Sequence, residues 1–259
     1  MLIAPCQAPV ETGPTRTHDG ASRRTTPLYI ICSPQRSVGK TLLARLLVEF
    51  YLIDGRPVTA FDLADEGPQL ADYLPGCTTI ADIGDASGQM ALFDEILADR
   101  RATKIIDLSH RTFKDFFTIA ERIGFFEEAR RQAIEPLILF MIDPGPKSAK
   151  AYAILRRWLA EASLLPVRNQ IVAKGIPYYA AFPNESAVPV SLEIPVLGAS
   201  LKTLVNQESF SFTNFWRTTP VSLPVRMDDE LRAWIKRIFL QFREIELWLM
   251  CGEIMSSLK

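Results

Sequence analysis

Short apolar runs alternate with stretches of helical period along most of this chain. Leu28-Tyr29-Ile30-Ile31-Cys32 predicts a strand, and the leucine-rich segment Leu42 to Phe50 predicts the helix that follows it. Pro57 to Asp62 reads as a second strand, entered through the turn Asp54-Gly55-Arg56. Between Ser87 and Arg101 the residues Met90, Leu92, Phe93, Ile96 and Leu97 recur at helical spacing, with Asp85 or Ser87 placed to cap the start. Thr103 to Asp107 is a short strand ending in an acid. Phe113 to Ile123 predicts a helix stopped near Gly124, and Glu127 to Ala133 a further helical piece. Pro136 to Ile142 is continuously apolar, as expected of a strand covered on both faces, and stops at Asp143-Pro144-Gly145-Pro146. Ala149 to Ala162 resumes the helical period. Leu164 to Val167, closing on Arg168-Asn169, is the next strand, with Val172 as an alternative member. Val188 to Leu197 is bounded by prolines and reads as an edge strand or extended loop.

Strands separated by helices in this way predict an α/β fold, a mostly parallel, doubly wound sheet flanked by helices. Ligands of such sheets sit at the carboxyl ends of the strands, where Lys40, Asp62, Asp107 and Asp143 fall. The two ends of the chain differ from the middle. Residues 1 to about 27 are rich in Pro, Thr, Arg, Gly and Ser without apolar period, which predicts a flexible tail ahead of a single domain spanning 28–259. From Asp228 to about Ser256 there is no proline, and Leu231, Trp234, Ile235, Ile238, Phe239, Phe242, Ile245 and Leu249 mark one face of a long amphipathic helix. Arg232, Lys236, Arg237 and Arg243 lie near the other face, diluted by Glu230, Glu244, Glu246 and Glu253. Packing of the apolar stripe on the sheet or a dimer interface is therefore expected ahead of membrane contact. Phe210, Phe212, Phe215 and Trp216 are read as a hydrophobic plug beneath that helix, since no basic interleaving suits them to base stacking.

Composition narrows the classes. The chain has 259 residues, 48% hydrophobic, enough for one large α/β core without disulfide staples. A net charge of −1 supplies no global attraction to nucleic acid or anionic lipid. Cys6, Cys32, Cys77 and Cys251 are scattered without a C-x-x-C pair, so neither zinc ligation nor a disulfide framework is expected and a reducing cytoplasm is the natural setting. No signal peptide and no apolar run of membrane-spanning length is read.

The chemistry concentrates in Pro34-Gln35-Arg36-Ser37-Val38-Gly39-Lys40-Thr41, set between the first strand and the first helix. That order suits a phosphate-binding loop. The amides from Gln35 through Leu42 and the positive end of the helix dipole would face phosphate, Lys40 adds a point charge, and the Thr41 hydroxyl can hold Mg²⁺. Pro34 replaces the first glycine of G-x-x-x-x-G-K-[ST], so the second half of that pattern is the part matched. The plain alternative is a strand-to-helix turn whose lysine faces solvent. Asp107 is the leading candidate for a metal-linked acid and Asp62 the second. His110 invites a general-base role, but phosphoryl transfer needs positioning more than basicity, so a surface or capping histidine is the expected reading.

These pieces resemble the ParA/MinD group of deviant P-loop ATPases. Val38-Gly39-Lys40-Thr41 matches its V-G-K-T, Phe61-Asp62-Leu63 its D-x-D segment, Ile105-Ile106-Asp107 its Walker B strand, and Arg168-Asn169 a segment whose Asn contacts adenine. The resemblance implies ATP and Mg²⁺ as cofactors, a nucleotide-dependent homodimer, and Asp62 as a second acid near the metal. It also implies a cargo such as plasmid DNA or a protein. The family's first loop lysine is Gln35 here, leaving Arg36 as the neighbouring cation, and the second Asp of D-x-D falls on Ala64, with Asp65 one residue further on. Leu108-Ser109-His110 replaces the small residues that usually follow the Walker B acid. These departures weaken hydrolysis more than binding. The expected function is an ATP-binding, slowly hydrolysing, nucleotide-gated switch. A metabolic P-loop enzyme, dethiobiotin synthetase-like or amidating, and a non-catalytic nucleotide-binding adaptor are the alternatives.

Overall fold

A computed structural model describes residues 25–63, 69–159, 163–173, 182, 191–218 and 223–257, with side chains through residue 251. Its frame is set by three central strands buried on both faces. These are β1 (Thr26–Cys32), β4 (Thr103–Asp107) and β5 (Ile134–Met141). With β2 (Val58–Asp62), β3 (Thr78–Ile80), β6 (Ser163–Asn169) and β7 (Leu192–Ile194) they form one sheet in the order β3-β2-β4-β1-β5-β6-β7. Every strand pair is parallel. The sequence order reverses direction at β1, which therefore lies at the switch point where ligands bind in such sheets.

Strand alternation sorts side chains onto the two faces. Tyr29 and Ile31 of β1 point to a core shared with α1 (Lys40–Ile53). Leu28, Ile30 and Cys32 point to a second core beneath α3 (Ala86–Ala98), α4 (Phe113–Arg122), α5 (Phe125–Arg131) and α6 (Pro146–Trp158). The first core is completed by α7 (Ala199–Val205), α8 (Phe212–Arg217) and α9 (Val225–Ser257). Both faces are thus covered, and the doubly wound α/β fold is present. Asp85 is the residue that caps α3, accepting a hydrogen bond from the Gly88 amide at 2.8 Å.

All eight apolar positions read from the sequence of α9 are buried. Phe50 of α1 meets Phe239 and Phe242 at ring separations of 5.2 and 5.5 Å, and Phe212 stacks on Trp234. The aromatic plug is therefore real, and part of it is helical. The Gln241 amide also clamps the outer edge of β7, donating to the Glu193 carbonyl while accepting from the Glu193 amide. A side chain here satisfies backbone groups that would otherwise offer a free sheet edge.

Several expectations need adjustment. The first strand starts at Thr26, inside the stretch read as tail, because the Thr26 amide donates to Ala133 and the strand pairs with β5. The rest of the expected tail lies outside the described residues. Val172 is not part of β6; its amide closes a turn onto the Asn169 carbonyl. The helix α2 (Leu70–Tyr73) and strand β3 were not anticipated, being too short to show a period. Cys32 and Cys251 are free, but Cys77 is disulfide-bonded, although no disulfide framework was expected. Bonding partners are decided by proximity in the fold, which scattered spacing does not reveal. No helix among the described residues is long and apolar enough to cross a membrane.

Candidate functional site

The site grows from the switch point. Leaving β1, residues 33–39 turn sharply into α1, with Ser37 at φ 59° and Gly39 at φ 100°. The first-turn amides of α1 have no intrahelical acceptor, and no side chain caps the start of the helix. Lys40 curls back so that Nζ donates to the Gln35 carbonyl at 2.8 Å. The residue is 9% exposed, and burial holds its pKa below the usual lysine range, opposed by Asp107 and Cys32. A cation held inside a turn of backbone beside free amides is a seat for an oxyanion.

Asp107 closes β4 next door, level with Ile31 of β1 and Asp62 of β2. Thr41 Oγ1 donates to Asp107 Oδ2 at 2.6 Å. Burial pushes the Asp107 carboxyl up to about 7; the Thr41 hydrogen bond and Lys40 pull it down, and Asp62 pushes it further up. The folded chain therefore binds this proton more tightly than the unfolded chain does. Its contribution to stability is fully present below about pH 3.8 and is lost as pH rises through about 7. Asp107→Asn keeps an acceptor for Thr41 without the charge, so it should flatten the decline in Tm between about pH 5 and pH 8. An unchanged pH profile in that variant would show that the carboxyl ionises normally.

Asn169, ending β6, braces the loop from the other side. Its Nδ2 donates to the Val38 carbonyl at 3.1 Å and its Oδ1 accepts from the Ile171 amide. A Cβ on Gly39 would lie 2.7 Å from that Nδ2. Gly39→Ala thus meets both a left-handed backbone and a polar clash, and it should cost about 1–3 kcal/mol, read as a lower midpoint in urea. A midpoint within experimental error of the parent would mean that the loop relaxes freely.

A cleft of about 580 Å³ opens above these residues. Arg36, Ser37, Gly39, Lys40, Thr41 and Leu42 line it from the loop, Asp107 through His110 from the end of β4, and Asn169 from β6. Arg36 is exposed and makes no ion pair among the described residues. Gln35 and Val38 contribute carbonyls that hold Lys40 and Asn169 instead of lining the cleft. Asp62 is fully buried outside the cleft wall, where its Oδ2 accepts from the Ala71 amide of α2 at 3.0 Å. Ala64 and Asp65 lie outside the described residues. His110 is on the wall but does not cap α4, whose N-cap is Thr112.

Beyond Asn169 the cleft continues between Ile171, Val172, Ile194, Pro195, Leu197 and Trp234, with Lys202 and Asn206 at its edge. None of these was read from the sequence as a site residue. They arrive from the turn after β6 and from β7, α7, α9 and their flanking residues, and no spacing along the chain signals their convergence. Trp234 is fixed there by donating its indole N–H to the Pro195 carbonyl at 2.9 Å.

The donor set suits one hard cation. Among the described residues no group of three or more His, Cys, Asp or Glu side chains could cage a metal. Mg²⁺ asks for less, one or two protein oxygens completed by phosphate and water, and Thr41 Oγ1 with Asp107 supplies those. Comparison with protein-family models and with curated proteins finds no match for the chain.

Proposed function

We propose that this chain is a Mg²⁺-dependent nucleoside triphosphate-binding protein, used as a nucleotide-gated switch of the ParA/MinD kind. One observation carries the reading: the Lys40 ammonium turned inward against the Gln35 carbonyl, with the Thr41–Asp107 pair beside it at the switch point of a parallel sheet. An arriving phosphate chain would take the ammonium from the Gln35 carbonyl and accept from the unsatisfied amides of α1. Thr41 and Asp107 would hold Mg²⁺, which neutralises phosphate charge when bound. The apolar lobe past Asn169 offers a slot for a flat base, with adenine expected from the resemblance.

Turnover is proposed to be slow. Gln35 brings no charge to the loop, so Arg36 at the cleft rim is the loop cation besides Lys40 that could reach a developing transition state. Asp62 is committed to the α2 amide and is removed from the cleft, which favours a role in holding α2 over one in hydrolysis. A homodimer closing over the nucleotide, a DNA or protein cargo and a cytoplasmic setting complete the proposal.

Calorimetric titration with ATP, ADP and GTP in the presence and absence of Mg²⁺ tests the reading. Because Asp107 must lose its proton to serve the metal, Mg²⁺·ATP binding should release a proton and weaken as pH falls below about 7. Heats that do not depend on buffer ionisation enthalpy at pH 6.5 to 7.5 would show that Asp107 gives up no proton on binding. Hydrolysis measured alone, then with DNA, separates a switch from an adaptor without turnover.

A further inference from the structure

The helix α6 carries Lys147, Lys150, Arg156 and Arg157 and no acidic residue. Its inward side is Ser148, Tyr152 and Leu155, packed on the core opposite α9. The outward side presents Lys147, Lys150 and Arg157, all exposed and none in an ion pair among the described residues, together with Ile154 at 38% and Trp158 at 47% exposure. At 3.6 residues per turn these five side chains fall within an arc of about 100°. The isoleucine lies between the two lysines and the indole follows on the same strip. Elsewhere the chain mixes its charges, for a net −1, so this concentration of one sign is local.

We propose that this face of α6 docks on an anionic lipid surface. Headgroup phosphates meet Lys147, Lys150 and Arg157, whose stems reach outward along the helix, while Ile154 and Trp158 enter the boundary between headgroups and acyl chains. The apolar pair decides the class of partner. A nucleic acid backbone would pair with the cations but leave Ile154 dehydrated against phosphate, since an isoleucine can neither stack on a base nor donate to an oxygen. A lipid interface accepts an indole and an aliphatic side chain side by side with cations. The attachment is independent of α9, whose apolar stripe is already buried.

The test uses the full chain without nucleotide, sedimented with vesicles of phosphatidylcholine alone or containing about one third phosphatidylglycerol. Binding is expected to the anionic vesicles only, with release when salt rises from about 0.1 to about 0.5 M. Removing both charges in Lys150→Ala/Arg157→Ala should weaken it about thirtyfold. Trp158→Phe should abolish the blue shift of tryptophan emission that accompanies binding in the parent. All three positions are exposed, and unchanged melting curves check that the variants fold. Lys40→Ala should bind vesicles as the parent does, which separates this surface from the nucleotide site. Equal binding by the double variant, no binding to anionic vesicles, or binding to a single-stranded oligonucleotide in place of vesicles would each overturn the proposal.

Discussion

Lys40→Ala is expected to reduce Mg²⁺·ATP affinity by at least about a hundredfold, the scale set by removing a charge-assisted hydrogen bond from a dry site. The side chain is almost fully withdrawn from water, so its charge acts on a ligand at short range with little screening. The cost of burying that charge is partly offset in the free protein by the Gln35 carbonyl and Asp107. Exchange of the carbonyl for phosphate then strengthens the interaction without a new desolvation penalty. Alanine leaves the amides of α1 alone to meet several negative charges. Folding should survive, because the lysine makes one hydrogen bond and sits at the first turn of the helix. Calorimetry on a variant shown to be folded decides the matter, and an affinity equal to the parent's would remove the phosphate site from consideration.

Arg45→Ala should produce the largest loss of stability, about 3–5 kcal/mol by analogy with other buried charges deprived of a partner. Arg45 lies one turn beyond the loop on α1 and is 2% exposed. Its guanidinium donates to the Val205 carbonyl at 2.7 Å and the Phe210 carbonyl at 3.0 Å, and it lies 3.8 Å over the Tyr73 ring. Glu49, one turn further and also buried, accepts from Ser211 Oγ and the Thr213 amide, both at 2.7 Å. These two side chains tie α1 to α7 and α8, and α7 carries the Lys202, Val205 and Asn206 wall of the cleft. Removing Arg45 strands two carbonyls and takes away a cation that Glu49 acts on. Arg45→Lys should recover little, since an ammonium lacks the planar fork that reaches both carbonyls and stacks on Tyr73. Urea denaturation followed by circular dichroism measures the effect, and a loss under about 1 kcal/mol would show that the α7–α8 segment holds itself in place.

Structure is most legible in the chain where a pattern repeats within one element. The apolar runs of β1 and β5, the eight-residue stripe of α9 and the helix at Lys40 all emerge from local periods, because burial on one or both faces imposes a period of 2 or 3.6 on the chain itself. Lys40, Thr41 and Asp107 were legible for a related reason: strand ends in a parallel sheet share one edge, so residues at those ends are brought together by topology. The short α2 and β3 escaped because three or four residues carry no period. The buried Arg45 and Glu49 escaped because charged residues on a helix ordinarily face water, and nothing within α1 indicates which carbonyls they will meet.

From the order of its residues alone, this chain dictates an α/β sheet with a lysine and a threonine at the head of its first helix and an acid closing a neighbouring strand. Secondary structure and the sharing of one sheet edge follow from hydrophobic period and connection length, which are properties of the chain. The depth at which Lys40 and Asp107 are buried, the turning of Asp62 toward α2 and the walls contributed by Ile194, Leu197 and Trp234 were decided only by tertiary structure. Each depends on segments distant in sequence packing together, and local sequence contains no record of which distant atoms will displace water from a given side chain.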